Sequence, residues 1–175
     1  GTNQKLYVEK QFDLSFIYEG MFGTNDACII DIDTKTLEIV DYKHGEGKYV
    51  EVENNLQLLY YALGAYQSFC IDGEHDITNI KLTIVQPRFK GADPIRSWEI
   101  DVKTLLEFED TLRQKVKKVL ENPELKMGEW CRWCTAKGKC PLQHQKALER
   151  TRANFGVDKK LQLPKIKALT TQELS

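Results

Sequence analysis

Two acidic residues and a lysine lie close together early in the chain, in an arrangement suited to hydrolysis of a phosphate ester. Asp41 and Lys43 are two residues apart at the end of a run of alternating apolar residues, and Asp26 is predicted to open a strand directly after turn-forming residues at 20–25. Residues two apart on a strand face the same side, so Asp41 and Lys43 should converge. Neighbouring carboxylates repel unless a cation lies between them, and their oxygens favour Mg²⁺ or Mn²⁺.

Such a cation activates water and neutralises charge on a phosphodiester, while a nearby ammonium stabilises the transition state. The alternative interpretation is structural. Asp26 would then be a turn residue, and Asp41 and Lys43 an ion pair at the end of a strand. Asp31 and Asp33 are interpreted as carboxylates of a hairpin turn.

These side chains must be positioned by strands and helices. Alternating β-branched and aromatic residues predict strands, and apolar residues at helical spacing predict helices. The predicted strands cover residues 8–18, 27–32, 37–43, 80–86 and 97–102, and the predicted helices cover 53–69, 103–120 and 142–152. Asn54 is the predicted N-cap of the first helix. The order predicts an α/β fold with a mixed central β-sheet flanked by helices, in which 27–32 and 37–43 form a hairpin.

The first predicted helix adds two polar residues, Gln57 and Tyr61, which are four residues apart and therefore share one face. The series Gly-x-x-Asp on a strand, Asp-x-Lys on its hairpin partner and Gln-x-x-x-Tyr on the next helix resembles the RecB-like branch of the PD-(D/E)xK nucleases. The resemblance covers about residues 8–140. It implies a restriction-endonuclease-like core and a metal-dependent deoxyribonuclease, similar to phage or prophage exonucleases that act in DNA recombination or repair.

The resemblance also implies a role for each matching residue. Asp26 and Asp41 would ligate the metal together with the backbone carbonyl of Tyr42, and Lys43 would act on the attacking water. Gln57 and Tyr61 would position DNA near the scissile phosphate.

One element of the family pattern is expected to lie outside this chain. The resemblance implies an upstream helix with a His or Glu that adds a metal ligand, and the chain begins too close to its first predicted strand to contain it. Glu9 is the candidate that would partly substitute. The alternative function is therefore a catalytically inactive DNA-binding or scaffold domain that retains the nuclease fold.

Three cysteines fall within ten residues near the C-terminal end. Cys131, Cys134 and Cys140 have the spacing C-x2-C-x5-C, which allows three thiolates to wrap one soft metal centre. With His144 they would form a tetrahedral zinc site. The spacing also resembles the three-cysteine clamp of RecB-like nucleases that carry a [4Fe-4S] cluster, such as AddB-type subunits and CRISPR adaptation nucleases, whose fourth cysteine precedes the nuclease core. Cys28 and Cys70 are interpreted as small core residues.

Charge is distributed unevenly along the chain. Residues 1–110 contain 10 lysines and arginines against 20 acidic residues, whereas residues 111–175 contain 15 against 6. The basic half predicts a sequence-independent contact with DNA phosphates, with a solvated helix face as the alternative. The candidate phosphate contacts are Arg113, Lys115, Lys117, Lys118, Lys126, Arg132, Lys137 and Lys139.

Composition also predicts where the protein acts and how it is divided. No run of eighteen apolar residues is present, and five cysteines, an odd number, suit a reducing compartment, so the expectation is a cytoplasmic protein without a membrane partner. Possible partners besides DNA are a recombination protein or, for a zinc-stabilised interaction module, another protein. The predicted domains are a nuclease core at 1–127, a cysteine-cluster segment with a helix at 128–153, and a tail at 154–175.

Overall fold

The structure, a computed structural model, describes residues 3–73 and 75–155, so the predicted tail lies outside the described residues from position 156 onward. The chain divides into two units, residues 1–121 and 122–175. The strands are β1 (Gln4–Asp13), β2 (Phe22–Asp31), β3 (Thr36–Tyr42), β4 (Asn79–Val85) and β5 (Ile95–Asp101). The helices are α1 (Leu56–Tyr66), α2 (Val102–Glu121) and α3 (Pro141–Phe155), with a π-helical turn at Gln67–Ile71 and 3₁₀ turns at Glu129–Arg132 and Thr135–Lys139.

The five strands form one mixed sheet in chain order, β1-β2-β3-β4-β5. β1 and β2, β2 and β3, and β4 and β5 pair antiparallel, whereas β3 and β4 are parallel. Parallel neighbours need a crossover connection, which is supplied here by α1. The predicted α/β fold, a mixed sheet flanked by helices, is confirmed at this level, and so is the hairpin of β2 and β3.

The core of the first unit lies between one face of the sheet and the helices. Alternate residues of β3 and β4 face it, beginning with Leu37 and Ile39 on β3 and with Ile80, Leu82 and Ile84 on β4, all of them fully buried. The helices bury Leu58, Leu59, Ala62, Leu63, Ala65 and Leu105 in the same cluster. A fully buried aliphatic side chain of this size stabilises a fold by about 1.5–3 kcal/mol. Burial of this face therefore sets the orientation of every side chain on β3.

The N-cap of the first helix lies one residue later than the sequence predicts. Asn55, not Asn54, is the N-cap, and its side-chain oxygen accepts hydrogen bonds from the amides of Gln57 at 3.1 Å and Leu58 at 3.2 Å. Asn54 has a φ of 54°. Asparagine tolerates this left-handed conformation better than most residues, so the first of the two asparagines makes the turn and the second caps the helix.

The first hairpin also differs from its predicted bounds. β1 ends at Asp13, and a turn closed by the amide of Leu14 and the carbonyl of Met21 at 2.9 Å replaces the predicted end of the strand. β2 begins at Phe22, within the segment predicted as a turn. Asp26 therefore lies in the middle of β2, and the expectation that it opens the strand is wrong. Within the range that the structure covers, no helix has the length and apolar character needed to span a membrane.

Close packing of α1 on β1 predicts that Gly64→Ala destabilises the protein. A methyl group at Gly64 would lie 2.8 Å from Cβ of Phe12 and 2.9 Å from Cδ1 of Leu14. Overpacking of this kind costs about 1–3 kcal/mol, which exceeds the helix-propensity gain of about 1 kcal/mol. Urea denaturation should show the loss. Gly47→Ala is the control, since a methyl group there meets no atom of the described residues within 4 Å, and equal stabilities for the two variants would contradict the packing.

Candidate active site

Asp41 and Lys43 meet at the end of β3. Asp41 occupies the inward-facing position after Leu37 and Ile39 and is 3% exposed. Nζ of Lys43 lies 2.8 Å from Oδ2 of Asp41, as the two-residue spacing predicts. That oxygen accepts no hydrogen bond within the described part of the chain. The ammonium therefore balances the charge of a buried carboxylate oxygen that still has capacity for another partner.

A chain of polar contacts continues from Lys43 to the first helix. Nζ of Lys43 donates to Oε1 of Gln57 at 2.8 Å, and Nε2 of Gln57 donates to the hydroxyl of Tyr61 at 3.0 Å. Gln57 also belongs to the turn capped by Asn55, which holds its backbone in place. The structure thus brings four of the predicted site residues into one connected group, Asp41, Lys43, Gln57 and Tyr61.

Asp26 joins this group through the backbone. Its Oδ2 accepts a hydrogen bond from the amide of Tyr42 at 2.6 Å, between the two residues of the ion pair. Ala27 pairs with Val40, so Asp26 and Asp41 are the next residues along the two strands of the hairpin. The side chain of Asp26 is exposed, whereas that of Asp41 is buried. The two predicted carboxylates therefore lie on neighbouring strands, with different surroundings.

An irregularity in the sheet sets the orientation of Asp26. The pairing of β1 with β2 omits Glu9 and Asp26, and Glu9 has a φ of 49°, a conformation that is unfavourable for a residue other than glycine. Buried positions on β2 change there from odd to even numbers, from Asn25 to Cys28. Regular alternation would have turned Asp26 inward together with Cys28. Glu9, the candidate substitute ligand, lies at this irregularity and is exposed.

The donor atoms at the end of the hairpin suit a hard divalent cation. Carboxylate and carbonyl oxygens are the ligands that Mg²⁺ prefers. Apart from its ion pair with Lys43, the buried Oδ2 of Asp41 accepts no hydrogen bond among the described residues. The predicted set is two carboxylates and the carbonyl of Tyr42. Across residues 3–73 and 75–155, no group of three or more His, Cys, Asp or Glu side chains is arranged to hold a metal ion.

One buried residue near the site was assigned only as a strand end by the sequence. Gln86 is 1% exposed and follows β4 directly. Its Nε2 donates to the carbonyls of Gly45 at 3.0 Å and Lys48 at 2.8 Å, and its Oε1 accepts from the amide of Val50 at 3.3 Å and from Nη2 of Arg96 at 3.0 Å. Gln86 therefore holds the loop that follows Lys43. The sequence contained one signal for this residue. Position 86 continues the series of inward-facing positions 80, 82 and 84, yet its side chain is polar.

We expect Gln86→Leu to loosen this loop. The change leaves the amide of Val50 and the carbonyls of Gly45 and Lys48 without their partner, which should lower the free energy of unfolding by about 1–3 kcal/mol. Hydrogen exchange at the Val50 amide should accelerate, and urea denaturation should report the overall loss. Gln114→Leu, at an exposed position of α2, is the matched control. Unchanged exchange at Val50 would show that Gln86 does not hold the loop.

The basic residues predicted on α2 are partly paired with acidic ones. Arg113 lies 2.7 Å from Glu109 and also donates to the carbonyl of Phe16 at 2.6 Å, and Lys117 lies 3.8 Å from Glu121. Pairs of this kind on an exposed helix stabilise it by a few tenths of a kcal/mol. They reduce the net positive charge that this helix presents.

The second unit brings its three cysteines to one cleft. Cys131, Cys134 and Cys140 line a cleft of about 480 Å³, and all three are free thiols. His144 is not among the described residues that line it, and its Nε2 donates to the carbonyl of Gly138 at 2.9 Å. That bond leaves Nδ1 of His144 available, as it is in many metal-bound histidines. Trp130 lines the same cleft, whereas Trp133 is 78% exposed.

The remaining two cysteines belong to the core of the first unit. Cys28 is fully buried on β2 and Cys70 is half-buried in the π-helical turn. Burial raises the pKa of Cys28 to about 12 and that of Cys70 to about 11. Both thiols therefore stay protonated near neutral pH. Cys28 belongs to the buried core cluster and Cys70 packs against it, which confirms their interpretation as core residues.

Comparison with known proteins places the chain in a family without an assigned activity. The chain belongs to the family described as "Protein of unknown function (DUF2800)", whose model matches residues 1–174. A solved structure described as "Crystal structure of SSO0001" is similar at 15% sequence identity and a TM-score of 0.36. The match covers 81% of this chain and 59% of that one, so the chain spans less than two thirds of that protein's length. At this TM-score the likeness supports no conclusion about fold or activity.

Proposed function

We propose that this protein is a metal-dependent deoxyribonuclease with a restriction-endonuclease-like core, of the RecB-like branch of the PD-(D/E)xK nucleases. The observation that carries the proposal is the contact between Lys43 and the buried carboxylate of Asp41 at 2.8 Å. That pair is linked through Gln57 to Tyr61, and Asp26 bonds the intervening residue Tyr42. An ion pair with a purely structural role at a strand end would not require these further hydrogen bonds to side chains of α1.

In the proposed mechanism each residue has a distinct task. Asp26, Asp41 and the carbonyl of Tyr42 would hold Mg²⁺ or Mn²⁺, which would lower the pKa of water and neutralise charge on the phosphate. Lys43 orients the attacking water and stabilises charge that builds up on the phosphoryl oxygens. Gln57 holds the Lys43 ammonium, the hydroxyl of Tyr61 holds Gln57, and both side chains would contact the DNA backbone. The water oxygen forms a bond to phosphorus, the bond from phosphorus to the sugar oxygen breaks, and the released proton passes through solvent to that oxygen.

The proposed substrate is DNA, and the proposed setting is an exonuclease of a phage or prophage recombination or repair system. The support for this part is the residue pattern and the excess of lysine and arginine after residue 110. Contacts from such residues to phosphate are independent of sequence and weaken with salt. A recombination protein would be the natural partner of an enzyme that processes DNA ends.

A non-catalytic DNA-binding or scaffold domain is the second candidate, and one observation favours it. Oδ2 of Asp26 accepts from the Tyr42 amide at 2.6 Å, so it continues the pairing of β2 with β3 beyond Ala27 and Val40. A carboxylate in that position stabilises a hairpin even without a cation. The two candidates differ in whether phosphodiester bonds are cleaved.

Asp41→Asn and Lys43→Ala should each lower the rate of DNA degradation in Mg²⁺ by about 100-fold or more, the usual scale for losing one electrostatic stabiliser. Degradation of a labelled oligonucleotide measures the rate, and thermal melting establishes that each variant is folded. Asp33→Asn, at an exposed carboxylate of the turn between β2 and β3, is the matched control and should keep full activity.

Equal degradation by the wild type and both site variants would rule out this active site. A folded wild type that binds DNA but does not cleave it would support the non-catalytic candidate.

We also propose that Cys131, Cys134 and Cys140 hold a soft metal centre, either a [4Fe-4S] cluster or a zinc ion with His144. The support is that all three thiols line one cleft, and that soft thiolates select these centres. An iron-sulfur cluster would take its fourth ligand from outside this group, whereas zinc would take it from Nδ1 of His144.

Metal analysis of anaerobically purified protein tests the cysteine centre. Cys134→Ser should remove the bound metal, whereas Cys70→Ser should retain it because Cys70 lies in the core of the other unit. Iron together with inorganic sulfide identifies a cluster. Zinc that is lost in His144→Ala identifies the tetrahedral site. A wild type without stoichiometric metal, or a Cys134→Ser variant that keeps it, would refute both.

A further inference from the structure

A cleft of about 570 Å³ opens beside the candidate active site, within the first unit. The start of β2 forms one side of the cleft, and α1 and α2 form the others. Six of its lining residues matter for recognition, namely Phe22, Gln57, Tyr60, Tyr61, Phe108 and Lys115. Its volume is in the range of pockets that take small organic ligands, about 300–1,000 Å³.

The walls of this cleft are aromatic and held in place. The hydroxyl of Tyr60 donates to the carbonyl of Phe22 at 3.2 Å, and the rings of Tyr60 and Tyr61 have centroids 6.3 Å apart at an interplanar angle of 57°. Gly23 packs so closely on Tyr61 that an added Cβ would lie 2.9 Å from Cδ1 and Cε1 of that ring. Burial raises the pKa of Tyr60, so its phenol stays neutral. The cleft therefore presents uncharged aromatic surface in which Tyr60 and Tyr61 are held in place.

Charge and position indicate which ligand such a surface would take. Among the described residues that line the cleft, Lys115 alone is charged, so a ligand carrying negative charge is favoured. Gln57 and Tyr61 line the cleft and also continue the polar chain from Lys43. The cleft and the candidate site for phosphate hydrolysis therefore share two side chains, and a ligand that reaches both must combine a flat ring with a phosphate.

We propose that the cleft binds the nucleobase of the nucleotide whose phosphate lies at Asp26, Asp41 and Lys43. The inference rests on the proposed nuclease function and adds how the strand is held. The base stacks against the aromatic walls, and Lys115 contacts a backbone phosphate. Every base has a π-face, so this binding is tolerant of sequence. It requires a base that is not paired in a duplex, so the substrate at this site is single-stranded or locally unpaired.

Binding of two single-stranded hexamers tests the proposal. One carries thymine at every position and the other is abasic throughout, so both present the same phosphates to the protein. Fluorescence anisotropy in EDTA measures their dissociation constants without hydrolysis. The wild type should bind the thymine hexamer at least about tenfold more tightly, the ratio expected from one base stacked on an aromatic side chain.

Phe22→Leu removes one aromatic face of the cleft at an exposed position of its lining, and should lower the preference for the thymine hexamer about tenfold. Tyr18→Leu, which removes an exposed aromatic ring that does not line the cleft, should keep the full preference. Equal binding of the two hexamers by the wild type overturns the proposal, as does an unchanged preference in Phe22→Leu.

Cleavage in Mg²⁺ separates this result from the fate of the nuclease function. If the wild type cleaves DNA but binds both hexamers equally, the nucleobase site is refuted and the nuclease function is supported. If the wild type cleaves nothing but prefers the thymine hexamer, and Phe22→Leu loses this preference, the nuclease function is refuted and the cleft remains a binding site for unpaired strands.

Discussion

A buried carboxylate on the inner face of a β-sheet is the constraint on which the candidate site depends. Asp41 occupies a position where strand alternation places aliphatic residues, and it is 3% exposed. A charge removed from water at such a position is costly unless a partner compensates it, and removing one partner of a buried pair costs about 3–5 kcal/mol. The ammonium of Lys43, 2.8 Å away, is that partner. Because water is excluded from Asp41, its interactions with other charges are screened less than they would be at the surface.

Lys43 must be held at the edge of the core for this compensation to work. Its backbone amide donates to the carbonyl of Val85 at 2.8 Å, which extends the pairing of β3 with β4 beyond Tyr42. Its side chain bonds Gln57 in the capped first turn of α1. Gln86 makes three hydrogen bonds to the loop that follows Lys43 and a fourth to Arg96 of β5. The sheet therefore restricts the backbone of the lysine, and the first helix restricts its side chain.

Asp26 has a different physical character from Asp41 although both belong to the predicted metal set. It is exposed and bonded to a backbone amide, because the sheet is irregular at Glu9 and Asp26. The site therefore has one carboxylate that water can reach and one that it cannot. In the proposed function, this difference would let a hydrated cation approach from the side of Asp26 while Asp41 keeps a fixed negative charge.

Local spacing in the sequence determined the pairs that the structure brings together. Asp41 with Lys43 follows from a period of two, and Gln57 with Tyr61 from a separation of four on a helix, because both periodicities depend only on neighbours along the chain. The mixed sheet and its crossover helix followed from the same patterns. Only the tertiary structure decided that Asp26 is exposed in mid-strand and that Gln86 holds the loop after Lys43. It also decided that an aromatic cleft opens beside Gln57, since each of these depends on contacts between segments far apart in sequence.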